Sequence, residues 1–186
     1  MAERVVFLDA CVLYPPLVRD ILLGVARAGL FAPRWSPRVL GEWHVTTARK
    51  QGTGAGEQVA ALVAEFAADF PAAEVAPDAE TEAAIALPDP GDAHVLAAAI
   101  AAGAQTLLTF NLRDFPARTL AAHGITARSP DGFLWELLGD APAAVETAIS
   151  TAAANAGIRG EEDIRRALKK AGLWRLARAW AALPRD

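Results

Sequence analysis

Cysteine is almost missing from this 186-residue chain. Cys11 stands alone, so no disulfide can close within the chain, and a reducing compartment is the natural setting. Long apolar runs are missing as well. None nears the roughly 18 residues that span a bilayer, which excludes a membrane-spanning protein. The opening Met1-Ala2-Glu3-Arg4-Val5 carries an acid and no long apolar stretch, so no secretory leader is expected and the cytoplasm is the expected location. His44, His94 and His123 lack the paired spacing of a zinc site, and none accompanies a serine nucleophile pattern. Positive charge is in short supply: 18 Lys and Arg against 22 Asp and Glu give a net −4. That balance argues against a protein that coats nucleic acid by bulk electrostatics.

What is present is a chain that is 53% hydrophobic, much of it helix-favouring alanine, and long enough for one well-buried domain with a modest extension. Arg4-Val5-Val6-Phe7-Leu8-Asp9 is a nearly continuous apolar run, as in a buried parallel strand. Thr106–Phe110 reads as a second strand, Ile125–Ala127 as a third, and Ala73–Ala76 as a weak fourth. Helices are expected from Pro15-Pro16 to Ala28, from the Ser36-Pro37 start to Lys50, over Glu57–Phe70, over a short acidic stretch, over Asp92–Ala102 and at Asp131–Leu138. The glycine-rich Gln51–Gly56 reads as a loop. Strands alternating with helices imply a mostly parallel sheet covered on both faces. After Gly139 the pattern is helical throughout: Pro142–Asn155, Glu161–Ala171 and Leu173–Leu183. The expected organisation is an α/β domain over residues 1–138 and a helical C-terminal extension over 139–186, docked on the body.

Four acids carry the chemistry. Asp9 closes the first strand, where ligands gather in open α/β sheets. Glu42 borders the apolar stripe of Val39, Leu40 and Trp43 in the helix begun by Ser36. Asp92 stands three, four and seven residues before Val95, Leu96 and Ala99, so a helix turns it inward, while Asp89 is the better cap. Asn111 and Asp114 follow the Thr106–Phe110 strand at its carboxyl end. Each has a plain alternative as a cap, a turn former or an edge carboxylate. Together they form a cluster of like charges that must protonate unless a cation sits among them. Oxygen donors without His or Cys companions suit a hard cation, Mg²⁺ or Mn²⁺.

Four stretches carry a resemblance. Phe7-Leu8-Asp9-Ala10-Cys11-Val12-Leu13-Tyr14-Pro15, Arg34-Trp35-Ser36-Pro37 through Glu42-Trp43, Pro88-Asp89-Pro90-Gly91-Asp92-Ala93-His94 and Leu108-Thr109-Phe110-Asn111-Leu112-Arg113-Asp114 resemble the PIN-domain ribonucleases, and most of all the VapC-like toxins of bacterial toxin–antitoxin pairs. The likeness covers roughly residues 4–138. It implies a PIN-like parallel sheet flanked by helices and a Mg²⁺-dependent endoribonuclease with RNA as substrate. It further implies a cognate antitoxin as partner and commonly a homodimer. Asp9, Glu42, Asp92 and Asp114 match the family's catalytic acids, with Asp9, Asp92 and Asp114 as metal residues and Asn111 in support. Three positions depart from the pattern. Cys11 replaces an Asn, Ser or Thr, which weakens one hydrogen bond near the metal. Gly91 replaces an acid and Ala93 a residue that is often basic.

Two phosphatase readings fail on spacing. A haloacid-dehalogenase-like enzyme needs a second acid two residues after Asp9, where Cys11 stands, and a cysteine phosphatase needs an arginine six residues after its nucleophile, whereas Cys11 reaches Arg19 only after eight. The remaining alternative is a non-catalytic RNA- or protein-binding PIN-like module. Arg38 and Arg113 are candidate phosphate contacts. From Gly157 onward eight basic residues face four acids, so the tail is +4 and the preceding chain −8. Arg165, Arg166, Lys169 and Lys170 in that tail are candidate RNA contacts, set against the plainer reading of a solvated helix face.

Overall fold

A computed structural model of the chain describes residues 4–183, and of Thr53 the backbone alone. Arg185 and Asp186, counted in the basic tail, lie outside the described residues. The continuous apolar run becomes strand β1, Val5–Leu8, in which Val6, Phe7 and Leu8 are buried. A strand with no polar alternation must be covered on both faces. It pairs in parallel with β2, Ala32–Arg34, on one side and with β3, Thr106–Leu108, on the other; β4, Thr126–Arg128, pairs in parallel with β3. The sheet order is β2-β1-β3-β4. The chain therefore changes direction across the sheet between β1 and β3, the switch point at which open α/β sheets bind ligands.

The contacts divide the chain into two compact units that do not follow the chain order. The first takes the residues up to Tyr14 together with Phe31–Arg128; the second takes Pro15–Leu30 together with the chain from Ser129 onward. A division at residue 138 runs along the sequence, whereas the contacts cut across it. In the first unit α1 (Ala10–Leu13) follows β1, and α3 (Pro37–Gln51) follows β2. α4 (Thr53–Asp69), α5 (Ala79–Ala84), α6 (Ala93–Ala101) and α7 (Ala117–Ala121) complete that unit. In the second unit α2 (Pro16–Arg27) packs with α8 (Pro130–Asp140) and α9 (Pro142–Asn155), and α10 (Glu161–Lys170) and α11 (Trp174–Ala181) close the chain.

Three expectations are corrected. β2 was not foreseen, because Ala32-Pro33-Arg34 contains no good strand former and Pro33 lacks an N–H. It forms at the sheet edge, where proline is tolerated. Ala73–Ala76 is not a strand but a single bridge, Glu74 against Trp35, held by Trp35 N–H to Ala73 O at 3.0 Å and Val75 N–H to Trp35 O at 2.9 Å. Gln51–Gly56 is not a loop: α3 runs to Gln51, Gly52 turns at φ +95°, and α4 begins at Thr53. Two packed helices are held together there by Trp43 stacked on Phe66 at 5.9 Å. Gly56 has a packing reason to be glycine, since a Cβ would meet His44 Nε2 at 3.1 Å and Ala48 Cβ at 3.2 Å.

Candidate active site

Asp9 immediately follows β1 at its carboxyl end and is only 8% exposed. A buried carboxylate requires donors. The hydroxyl of Thr109, one residue past β3, donates to Asp9 Oδ2 at 2.8 Å, and the Cys11 thiol donates to the same oxygen at 3.1 Å. Thr109 Oγ1 also accepts from Asn111 N–H at 3.0 Å. These bonds span the β1–β3 switch point. They use one carboxylate oxygen and leave Oδ1 with no protein donor among the described residues. The hydrogen bond expected to weaken at Cys11 is made by sulfur instead of oxygen or nitrogen. Burial, followed by the Asp9 charge, pushes the thiol pKa up to about 12, so Cys11 stays protonated and serves as a donor.

Ser36 Oγ caps α3 by accepting from Val39 N–H at 3.2 Å, with Pro37 at the first helical position. That start sets the helix phase and lays Glu42, Thr46 and Lys50, four residues apart, along one stripe facing the cleft. Glu42 is held from two sides. His94 Nε2 lies 2.9 Å from Oε1, and Arg38 Nε lies 3.6 Å from the same atom. His94 is buried in α6, and desolvation lowers its pKa, so the neutral ring donates through Nε2–H; Nδ1 has no partner among the described residues. Asp89 Oδ1 accepts from Gly91 N–H at 2.8 Å and caps the turn Pro90–Asp92. Asp92 is thereby released from capping. It holds the N-cap position of α6 without a side-chain cap bond and lines the cleft.

The cleft, about 380 Å³, brings together Asp9, Cys11, Glu42, Asp92 and Asn111, with Tyr14 and Lys50 on its wall. Asp114, in the turn Leu112–Asp114, does not line it, but its charge reaches Asp92. Desolvation first, then the charges of Asp9, Asp89 and Asp114, raise the Asp92 pKa to about 6. Glu42 is also raised, chiefly by burial and then by Asp9 and Asp92, with Arg38 opposing. Asp92 and Glu42 are therefore disfavoured from ionising in part by their acidic neighbours, as the sequence led us to expect. Arg38 is not free for phosphate: Nη1 donates to Glu82 Oε1 at 2.9 Å, and the side chain positions Glu42. Arg113 is exposed outside the cleft. Sequence reasoning missed Thr109, His94, Tyr14 and Lys50; of these, only Lys50 was legible, by its helical spacing from Glu42.

An α/β domain with a carboxylate cluster at the switch point of a parallel sheet is the class defined by this fold and site. A family model described as PIN domain matches residues 5–113, more than half of the chain, and the chain belongs to that family. The match contains Asp9, Glu42, Asp92 and Asn111 and ends one residue before Asp114. No curated protein and no solved structure matches the chain. PIN domains are generally nucleases, so the acidic cleft is that of a nuclease-type module.

PIN domains typically use divalent metal ions. Among the described residues no three Asp, Glu, His or Cys side chains converge closely enough to enclose a cation directly. The donor set nevertheless fits Mg²⁺ or Mn²⁺, because Mg²⁺ keeps several waters and takes only one or two carboxylates. Asp9 Oδ1 and the Asp92 carboxylate are the free oxygens suited to it.

One consequence is measurable without substrate. A carboxyl whose pKa is raised by folding favours the folded state at low pH, and that contribution is lost as pH rises through the folded value. Between the ordinary 3.8 and about 6, stability of the metal-free protein should fall with rising pH on account of Asp92. Asp92→Asn should flatten that fall and raise the Tm at pH 7.5 by about 2–4 °C, the shift that roughly 1 kcal/mol gives in a chain of this size. The figure is modest because water screens a half-exposed side chain. Thermal melts in EDTA across pH 4–8 provide the check, and an unchanged pH profile would remove Asp92 from the cluster.

Proposed function

We propose that this PIN domain is a metal-dependent endoribonuclease, the toxin of a VapC-like toxin–antitoxin pair. The observation that carries the nuclease reading is the gathering of Asp9, Glu42 and Asp92 from three separate segments around one cleft at the β1–β3 switch point. Asp9 and Asp92 would hold Mg²⁺ or Mn²⁺, with Asp114 and Glu42 supporting through its waters. Bound there, the cation supplies a Lewis acid for the scissile phosphate and lowers the pKa of water. The chain's own groups do the rest. Thr109 and Cys11 fix the Asp9 carboxylate, and His94 and Arg38 fix Glu42. Lys50, with its ammonium 4.7 Å from the centroid of the Tyr14 ring, offers a cation to the phosphate backbone in an otherwise acidic cleft.

The toxin assignment, the antitoxin partner and the homodimer rest on the sequence motifs around Asp9, Glu42, Asp92 and Asp114. No helix among the described residues is long and apolar enough to cross a membrane. Sequencing the RNA ends that appear after brief induction tests the reading. New internal ends are expected with the wild-type protein and not with Asp9→Asn, together with growth arrest relieved by the cognate partner. Identical RNA ends in both strains would sink the nuclease assignment. Cleavage without growth arrest would sink the toxin role alone.

A further inference from the structure

α10 and α11 meet at a turn in which Gly172 has φ +82°. α11 buries Leu176, Ala177 and Trp180, and α10 buries Leu168. The faces left to solvent enclose a cleft of about 370 Å³ lined by Arg165, Lys169, Trp174, Arg175 and Arg178, with no acid on its wall among the described residues. Helical spacing decides which cations it collects. Arg165 and Lys169 are four residues apart and share the cleft face, whereas Arg166 and Lys170 fall on the next stripe, where Arg166 pairs with Asp163 at 3.0 Å. Arg165 is already engaged by Glu162 through bonds of 2.9 and 2.8 Å. Among the described residues the side chains of Lys169, Arg175 and Arg178 make no direct ion pair, although the Arg175 backbone N–H donates to Asp131 Oδ2 at 3.0 Å and the Lys169 charge reaches Glu162.

The aromatic residue at this cleft gives it a chemistry that charge alone does not. Trp174 is 62% exposed, although it begins a helix whose other large apolar side chains are buried. Lys169 Nζ sits 6.0 Å from its ring centroid. A second indole, Trp135 at 48% exposed, has the Arg175 guanidinium 6.0 Å from its centroid. Cations held over exposed indoles are what a single-stranded nucleic acid meets on its binding platforms, phosphates on the cations and an unstacked base against the aromatic ring. A duplex hides its base faces, and a peptide of carboxylates alone offers no ring to stack on the indole.

We propose that the α10–α11 cleft is a single-stranded RNA-binding site, separate in chemistry from the acidic cleft. The choice of RNA rests on the nuclease reading above; the binding itself does not need cleavage. This assignment revises the set expected from sequence by keeping Lys169, leaving Arg165 to its bonds with Glu162 on the cleft wall, omitting Arg166 and Lys170, and adding Trp174, Arg175 and Arg178.

The test uses the full chain carrying Asp9→Asn, in EDTA, so that neither metal nor turnover contributes. A fluorescein-labelled oligouridylate of about twelve nucleotides is titrated by anisotropy over a range of salt concentrations. Lys169→Gln with Arg178→Gln should reduce the slope of log affinity against log salt by about 1.4, roughly 0.7 per phosphate contact on a single strand. Trp174→Ala should weaken binding about tenfold with little change in slope, since stacking is insensitive to salt. Both variants alter exposed or half-exposed side chains, and circular dichroism checks that they fold. No binding, or binding unaffected by either variant, overturns the proposal. Equal affinity for the same sequence as duplex, without dependence on Trp174, reduces the cleft to generic electrostatics and also overturns it. Tighter binding of a polyglutamate peptide would assign the cleft to an acidic protein partner instead. If cleavage fails in the induction experiment while this binding holds, the nuclease reading falls and the cleft stands.

Discussion

Asp9→Asn is expected to reduce RNA cleavage by about two to three orders of magnitude, the usual loss when one preorganised electrostatic group is removed from an active site. Asparagine keeps the shape and can still accept from Thr109, whose hydroxyl lies 2.8 Å from Oδ2. What it loses is the charge, and an amide nitrogen takes the place of one carboxylate oxygen. Folding should be preserved, because removing one member of a mutually repelling set relieves strain on Glu42 and Asp92, both of which feel the Asp9 charge. Single-turnover cleavage beside a thermal melt separates the two effects. Near wild-type cleavage by a well-folded Asp9→Asn protein would remove Asp9 from the chemistry.

Cleavage by the wild-type protein should stop in excess chelator and return with Mg²⁺ or Mn²⁺. The site's free groups are oxygens, Asp9 Oδ1 and Asp92, and its one sulfur is a thiol with a pKa of about 12 that stays protonated. Such a donor set favours hard cations over zinc. The same association is visible in stability. A cation at a hundred times its Kd adds about 2.7 kcal/mol to folding. Mn²⁺ should therefore raise the Tm of the wild-type protein and not that of Asp9→Asn. Robust cleavage by pure protein in EDTA would end the metal mechanism.

The parts of the fold legible in the sequence were those with a strong local signal. Val5–Leu8 is apolar on both faces, Ser36-Pro37 is a cap followed by proline, and Asp89 accepts the bond that frees Asp92. What escaped the sequence depends on distant neighbours. β2 exists because β1 offers an unpaired edge, and the glycine-rich segment is helical because Trp43 and Phe66 bring α3 and α4 together. The same holds in the site. Asp9, Glu42 and Asp92 could be picked out from strand ends and helix faces. Thr109 and His94 acquire their roles only when β3 is set beside β1 and α6 brings its histidine to Glu42. Cys11 looked like a loss of a hydrogen bond and is a thiol donor instead.

The interleaving of the two compact units bears on how the protein is made. α2 leaves the ribosome early, yet its partner α9 is synthesised more than a hundred residues later. The helices approach closely, since a Cβ on Gly24 would meet Ala148 Cβ at 2.9 Å. At about 5–20 residues per second, the apolar face of α2, with Ile21, Leu22 and Val25, waits on the order of ten seconds for its cover. Synthesis that stalls or stops near residue 138 leaves that face without α9. A nascent chain cut short there is a substrate for chaperones and proteases before it can be a nuclease.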